Sequence, residues 1–122
     1  MLLIPTFIYN STYGIGLFSK ETIIKGTMVW MLDPLFDRIF DNVFSGVTSS
    51  FLDRYCYKDK YTGKYILCVD NARFINHSES FNNIDPIPHG DFAYGADIAN
   101  KDIKSGDEIF INYNLIHDGV WS

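Results

Sequence analysis

The sequence predicts one domain built mainly of β-structure with short helices. Its 122 residues fit a single domain, and 47% of them are hydrophobic, which is enough for a compact core. Short runs rich in apolar and β-favouring residues recur along the chain, and several of them follow glycine turns. The predicted strands cover residues 2–9, 15–19, 27–32, 64–69, 92–99 and 108–112.

The middle of the chain carries the helical signals. Ser49 or Ser50 can cap a short helix whose apolar face includes Tyr55. The Asp-Pro pair at residues 33–34 either begins a helix or forms a turn. Residues 76–90 contain two prolines and are predicted as a long irregular stretch, and long loops in compact domains are usually functional or mobile.

Two short segments near opposite ends of the chain repeat one pattern. Residues 23–29 and 103–109 both read I-x-x-G-[TD]-x-[VI], and a lysine–acid pair precedes each. Each segment predicts a tight turn in which glycine adopts an unusual backbone angle before a strand. The repeat is either a chance similarity of two turns or a sign of two related hairpins paired in one β domain.

Charge and cysteine content exclude several classes of protein. A formal net charge of −5 argues against a nucleic-acid binder, whereas it could attract a basic peptide or simply confer solubility. Cys56 and Cys68 form no CxxC pair, so both are expected to be reduced and buried. No apolar run approaches the roughly 20 residues of a membrane span, and residues 1–4 are too short for a signal peptide. A cytoplasmic protein is therefore expected, without a membrane partner.

Three motifs carry residues suited to chemistry. Residues 13–18 read YGIGLF, a glycine loop in which the backbone can approach a ligand closely. The loop lacks the third glycine and the following helix of a dinucleotide site. Residues 73–78 read RFINHS and place three hydrogen-bonding side chains after an apolar segment. Residues 106–113 read GDEIFINY, a strand that ends in tyrosine.

Together and in this order, these motifs resemble those of the SET-domain family of protein lysine methyltransferases. That family has a G-x-G segment near its start, an R-F-x-N-H-S-C-x-P-N segment, and a G-E-E-L-T-F-D-Y segment at its end. The resemblance covers almost the whole chain. It implies one SET domain, with an N-terminal β part at 1–33, a variable insert at 34–63 and a C-terminal part at 64–122. The implied fold is a β-clip of small sheets with a C-terminal pseudoknot, and the spacer at 30–37 looks like that of small stand-alone bacterial or viral members.

The resemblance also implies a cofactor, S-adenosylmethionine, and assigns residues to its site. The glycine loop would hold the methionyl part, His77 would lie near the adenine, and Tyr113 would be the catalytic tyrosine. Trp121 would either cover the cofactor as a lid or simply cover the core. The residues expected to bind the cofactor are Gly14, Ile15, Gly16, Arg73, Asn76, His77, Tyr113 and Trp121.

The implied reaction is an in-line methyl transfer to a lysine amine of a protein or peptide substrate. Much of the catalysis would come from alignment of the amine with the methyl group, so Tyr113 would orient the reactants rather than act as a general base. A narrow channel for the lysine could draw on Trp30, Tyr65 or Phe110. Ile111 stands where the family carries the aromatic residue that limits methylation, and its smaller side chain favours higher methylation states.

The chain departs from the family pattern in ways that bear on metals and partners. Glu79 replaces a cysteine that helps to bind zinc in members with a cysteine-rich tail, and Phe81 replaces a proline, so no metal is predicted. A partner subunit could complete the lysine channel, which makes a homodimer one expectation. Two alternatives to the enzyme stay open: a non-catalytic SET-like module that binds protein or cofactor, and a small β-rich interaction protein with chance motifs.

Overall fold

The computed structural model describes residues 1–40, 55–59, 63–89 and 92–116 of the chain. Its regular elements are strands and two short 3-10 helices, which cover Asn71–Phe74 and Tyr113–Leu115. The strands are β1 (Thr6–Ser11), β2 (Gly14–Ser19), β3 (Met28–Met31), β4 (Arg38–Phe40), β5 (Cys56–Lys58), β6 (Tyr65–Leu67), β7 (Asn76–His77), β8 (Ile84–His89), β9 (Phe92–Ala99) and β10 (Phe110–Ile111). None of the helices in these ranges is long and apolar enough to cross a membrane.

The strands form three small sheets. β1 and β2 make an antiparallel hairpin, β4, β6 and β5 make a three-stranded sheet, and the largest sheet has the order β3-β9-β8-β10-β7. Pairing is antiparallel except at β10, which runs parallel to both of its neighbours. The prediction of a mainly β fold of small sheets with short helices is confirmed.

The two segments that share the I-x-x-G pattern lie side by side. Ile23 and Ile103 exchange backbone hydrogen bonds of 2.7 and 2.8 Å, and their side chains are only 5% and 1% exposed. Gly26 and Gly106 both have a φ of +91°, a backbone angle that glycine adopts without steric penalty. Of the two explanations of the repeat, the structure supports two related turns paired in one domain.

The C-terminal motif passes between two segments that are joined by a loop. β10 lies between β7 and β8, and the chain from 78 to 83 connects those two strands around it. Asn83 holds the crossing, because its side chain donates to the carbonyl of Glu108 at 2.8 Å and accepts from the backbone of Phe110 at 2.9 Å. The Asn83 amide uses both its nitrogen and its oxygen in these hydrogen bonds. They hold β10 in place beside strands that share only a few backbone hydrogen bonds with it.

Several local predictions are wrong at their boundaries. The strand predicted over residues 2–9 is split at Pro5: Leu2 forms an isolated bridge with Trp30, and β1 starts at Thr6. Proline has no N–H to donate, so the chain leaves one ladder there and enters another. The Asp-Pro pair forms a turn, in which the backbone of Phe36 donates to the carbonyl of Asp33 at 3.0 Å.

The stretch at 76–90 is not irregular throughout. It contains β7 and the six-residue strand β8, which pairs antiparallel with β9. Prolines at 86 and 88 favour a loop, but Pro86 stands in register opposite Asp97, and the register shifts at residue 88, between Ile87 and His89. The helix predicted from Ser49 or Ser50 falls outside the described residues except at Tyr55.

Branched aliphatic side chains form the core between the sheets. Those with an exposed fraction near zero are Leu17, Val29, Ile66, Ile84, Ile103 and Ile109. Cys68 is buried in this cluster, and Cys56 is half-buried. The core places the glycine loop, the Asn-His pair and the C-terminal tyrosine at one edge of the largest sheet.

Candidate active site

The RFINHS motif is delivered to its position by a capped 3-10 helix. Asp70 caps that helix by accepting from the backbone of Ala72 at 3.0 Å, and its second oxygen accepts from the backbone of Leu2 at 2.7 Å. The helix ends at Phe74, and the chain then extends into β7. The capped helix therefore fixes the backbone positions of Asn76 and His77.

Asn76 joins the glycine loop to the C-terminal motif. Its side-chain nitrogen donates to the carbonyl oxygen of Ile15 at 3.2 Å and to Oε2 of Glu108 at 2.9 Å. In the backbone, Asn76 stands opposite Phe110 in the β7–β10 pair. One side chain therefore connects all three sequence motifs.

His77 is held against the C-terminal tyrosine. Its Nδ1 accepts from the backbone N–H of Tyr113 at 2.9 Å, and the two ring centroids are 5.1 Å apart. Since Nδ1 is the acceptor, the proton of the neutral ring is on Nε2, which leaves that nitrogen as a donor. The pair fixes the start of the 3-10 helix that contains Tyr113.

The hydroxyl of Tyr113 donates to the carbonyl oxygen of Ile75. Burial, with a smaller contribution from Cys68, raises the pKa of Tyr113 to about 12. The phenol is therefore protonated at neutral pH, with its proton committed to Ile75. Its oxygen can accept a further hydrogen bond, so the group is suited to orienting a ligand and unsuited to acting as a general base.

The glycine loop is shaped by backbone geometry and by lack of space. Gly14 has a φ of +97°, which favours glycine at the turn between β1 and β2. A Cβ placed on Gly16 would lie 2.4 Å from Oε2 of Glu108 and 3.1 Å from Cβ of Ser11. Position 16 therefore has to be glycine for the loop to approach Glu108 and Asn76 this closely.

Glu108 and Ser11 belong to this site, and sequence reasoning missed both. Ser11 donates its hydroxyl proton to Oε1 of Glu108 at 2.6 Å, while Oε2 accepts from Asn76. Within the GDEIFINY motif, the sequence predicted a role for Tyr113 and none for Glu108. No local signal marks either residue, because their contacts join segments that are far apart in the chain.

The other predicted cofactor residues are placed differently. The guanidinium of Arg73 donates to the carbonyls of Val69 and Asp70 at 3.2 and 2.9 Å and lies 4.5 Å from the Phe74 ring centroid. These contacts engage Arg73 with its own helix, so a cofactor contact by this residue remains a prediction. Trp121 lies outside the described residues.

The predicted channel residues lie in two sheets. Phe110 and Ile111 form β10 beside Asn76 and His77, and the Phe110 ring is 5.9 Å from that of Tyr13. Ile111 is 3% exposed. Trp30 is also 3% exposed, in β3 at the far edge of the same sheet. Tyr65 lies in the three-stranded sheet.

A second group of titratable residues lies in the interior. Burial raises the pKa of Asp97 to about 7, Asp85 adds to the rise, and the amino group of Met1 opposes it. Burial also raises the pKa of Tyr57 and of Cys68 well above their usual values. Cys68 contributes to the pKa of Tyr113 as well, so this interior group extends from Asp97 towards the tyrosine of the site.

The residues gathered here fit S-adenosylmethionine in their chemistry. Gly16 has no side chain, and the space that a Cβ would fill leaves its backbone open to close contact with a methionyl chain. Around it stand oxygen acceptors: the Ile15 carbonyl, the Asn76 amide and the Glu108 carboxylate. Such a set complements a ligand that carries positive charge and ammonium donors.

The comparisons with known proteins identify the family of the chain. The profile of the SET domain family matches residues 14–114. The crystal structure of a candidate histone methyltransferase from Plasmodium falciparum has a similar fold, with a TM-score of 0.62. The two proteins are 24% identical, and the match covers 92% of this chain and 95% of that one. No curated protein sequence matches the chain. The family profile covers most of the chain, from the G-x-G of the glycine loop to the end of the GDEIFINY motif, and the chain belongs to the SET-domain family.

Proposed function

We propose that the chain is an S-adenosylmethionine-dependent methyltransferase that modifies a lysine side chain of a protein. The observation that supports this most is that one site unites the glycine loop, the Asn-His pair and a buried tyrosine hydroxyl. Membership of the SET-domain family supports the same reaction. A binding module has no need of a tyrosine hydroxyl held on a backbone carbonyl beside this loop.

The cofactor would be bound at the edge formed by β2, β7 and β10. When bound, S-adenosylmethionine supplies a methyl group on a positively charged sulfur. Gly16 would allow its methionyl chain to lie against the backbone, and Asn76 would contact its polar end. Nε2 of His77, left as a donor by the contact to Tyr113, would hydrogen-bond towards the adenine.

Tyr113 would orient the reacting groups. Its hydroxyl is protonated at neutral pH and donates to Ile75, so towards a bound ligand its oxygen would act as an acceptor. Oxygen acceptors around a methyl group can form weak C–H···O contacts that direct it along the transfer axis. The carbonyl of Ile75, polarised by the same hydroxyl, would serve the same purpose.

The substrate lysine must lose its proton before it can attack, because the pKa of a free lysine amine is about 10.4. A poorly solvated channel and the nearby positive sulfur would both lower that pKa. Tyr113 already carries its proton at neutral pH, because its pKa is raised to about 12, so it would not take up the lysine proton, which would leave to solvent instead. We propose Phe110, Ile111, Trp30 and Tyr65 as candidates for the channel wall.

The protein substrate would present a basic segment. The chain carries a formal charge of −5, which attracts lysine-rich peptides and disfavours direct contact with nucleic acid. The modest size of Ile111 would leave room for more than one methyl group. A second copy of the chain could complete the channel, and the cytoplasm is the compartment we expect.

A non-catalytic SET-like module that binds cofactor or protein is the alternative. The enzyme would bind the cofactor and transfer its methyl group, whereas the module would bind without transfer. No specific contact in the described part of the chain favours the module over the enzyme.

Calorimetric titration with S-adenosylmethionine, and with S-adenosylhomocysteine in parallel, tests the cofactor site. We expect saturable one-site binding in the wild type and loss of binding in the Asn76→Ala, His77→Ala double variant. The exposed Tyr9→Phe variant serves as the control that keeps binding. A folded wild type that binds neither compound would contradict the proposal.

A further inference from the structure

The Glu108 side chain contacts residues on both sides of the glycine loop, and the proposed cofactor contacts of the loop give it no role. Glu108 lies two residues after the turn glycine Gly106 and forms an isolated β-bridge with Phe18 of β2. Its two carboxylate oxygens accept from different partners, Ser11 at 2.6 Å and Asn76 at 2.9 Å. The carboxylate thus stands between the β1–β2 hairpin and the RFINHS motif.

The position of this carboxylate is tightly restricted. Ser11 also accepts from the backbone of Tyr13 at 3.3 Å, so its hydroxyl is engaged on both sides in the turn that precedes the glycine loop. The hydrogen-sized face of Gly16 packs against Oε2, where a Cβ would be only 2.4 Å away. A carboxylate restrained in this way has one orientation to offer to Asn76.

The contacts of Asn76 decide which end of its amide meets a ligand. The nitrogen carries two protons, and both are used, one by the carbonyl of Ile15 and one by Glu108. Two acceptors on one side fix the nitrogen there and leave Oδ1 as the polar atom that can contact a ligand. With only Ile15 remaining, the amide could pivot about a single bond.

We propose that Glu108 is a positioning residue, which fixes the Asn76 amide so that its Oδ1 accepts a hydrogen bond from the protonated amine of the cofactor. The inference rests on the proposed function for the identity of the ligand. Ser11 restrains Glu108, and Gly16 makes room for it. The charged acceptor strengthens the Asn76 contact, since hydrogen bonds with an ionised partner are the stronger ones.

Three variants separate a positioning role from a general structural one. Glu108→Ala removes both hydrogen bonds, whereas Glu108→Gln keeps an acceptor for Asn76 and a polar partner for Ser11. We expect the affinity for S-adenosylmethionine to fall about 10-fold in Glu108→Ala and to recover to within about 3-fold of wild type in Glu108→Gln. Glu21→Ala, which removes an exposed carboxylate from another turn, is the matched control and should bind as wild type does.

The decisive comparison is made in the background of Asn76→Ala. If Glu108 acts through Asn76, Glu108→Ala should lower affinity by less than about 2-fold once Asn76 is gone, because the two losses are coupled. A full further loss of about 10-fold in that background would overturn the proposal. Thermal unfolding of each variant verifies that the chain is folded at the titration temperature.

A second readout needs no cofactor. The side-chain amide protons of Asn76 should exchange with solvent at least about 10-fold faster in Glu108→Ala than in wild type or Glu108→Gln, measured by nuclear magnetic resonance on the free protein. Equal exchange rates in all three would overturn the positioning role itself. Slowed exchange in a wild type that binds no cofactor would instead overturn the proposed function, and with it the ligand-facing part of this inference.

Discussion

Residues 17–29 and 97–109 follow the same backbone course, and the second segment continues into Phe110 and Tyr113 of the candidate active site. The turn of each segment is hydrogen-bonded to the end of the strand that begins the other segment. The backbone N–H of Gly26 donates to the carbonyl of Ala99 at 2.8 Å, and that of Gly106 donates to the carbonyl of Ser19 at 2.7 Å. The correspondence is a constant offset of 80 residues, so the two units form a pseudo-symmetric pair around Ile23 and Ile103.

At this offset the two units share only Ile23/Ile103 and Gly26/Gly106, and the other eleven side chains differ. Where the first unit has Met28, the second has Glu108, the carboxylate that holds Asn76. Where the first has the fully buried Leu17, the second has Asp97, whose pKa is raised to about 7. The same backbone course thus occurs twice, while the hydrogen bond from Asn76 to the Glu108 carboxylate belongs to the second unit.

The largest effect on stability is expected where the two units touch. Ile23→Ala and Ile103→Ala each remove a buried side chain from the centre of the domain, and each should lower the free energy of unfolding by about 2–5 kcal/mol. The double variant should lose less than the sum of the two, because both residues share one cavity. Chemical denaturation of the three variants checks this. Strict additivity would mean that the two turns are not coupled.

An intermediate effect should depend on pH at Asp97. Its folded-state pKa lies above the ordinary 3.8, so its protonated form is favoured in the fold, and its contribution to stability is lost as pH rises from about 4 through about 7. Asp97→Asn removes the charge. The variant should therefore gain more stability at pH 8 than at pH 5, by about 1–3 kcal/mol.

Thermal unfolding at the two pH values measures the Asp97 effect, with Glu21→Gln as the control for loss of an exposed carboxylate. An equal gain at both pH values would indicate that the Asp97 carboxyl titrates normally in the folded chain.

The smallest effect should be equal in the two units. Gly26→Ala and Gly106→Ala place a side chain at a φ of +91°, and nothing lies within 4 Å of either new Cβ. Only backbone strain is added, so each should cost about 1–2 kcal/mol of stability, and the two costs should agree. Melting temperatures measure both. A clearly larger loss at Gly106 would show that its turn carries strain from the site that the first turn does not.

Sequence reasoning reached the fold class and the three motifs because both depend on local patterns. Runs of β-favouring residues predicted most strands. The RFINHS motif is specific enough that, with the other two motifs, it indicated the family. Strand β8 was missed because its prolines resemble loop signals, and β7 is too short for an alternating pattern to appear. Strand β10 lies within the strand predicted over residues 108–112.

The contacts that assemble the site join residues far apart in the chain. Glu108 meets Ser11 across 97 residues, and Asn76 meets Ile15 across 61. Asn83, which clamps the crossing of the C-terminal strand, looked like one residue of a polar loop. Side-chain bonds of this kind depend on the folded topology, so no local pattern could have predicted them.

Methyl transfer by wild type and by Tyr113→Phe tests the central claim most directly. Both proteins would be incubated with S-adenosylmethionine and a set of lysine-containing basic peptides, and the products read by mass spectrometry. We predict added methyl masses on lysine with the wild type. In the variant we predict turnover lower by on the order of 100-fold at nearly unchanged cofactor affinity. Equal turnover in the two proteins, or cofactor binding by the wild type without transfer to any peptide, would contradict the account.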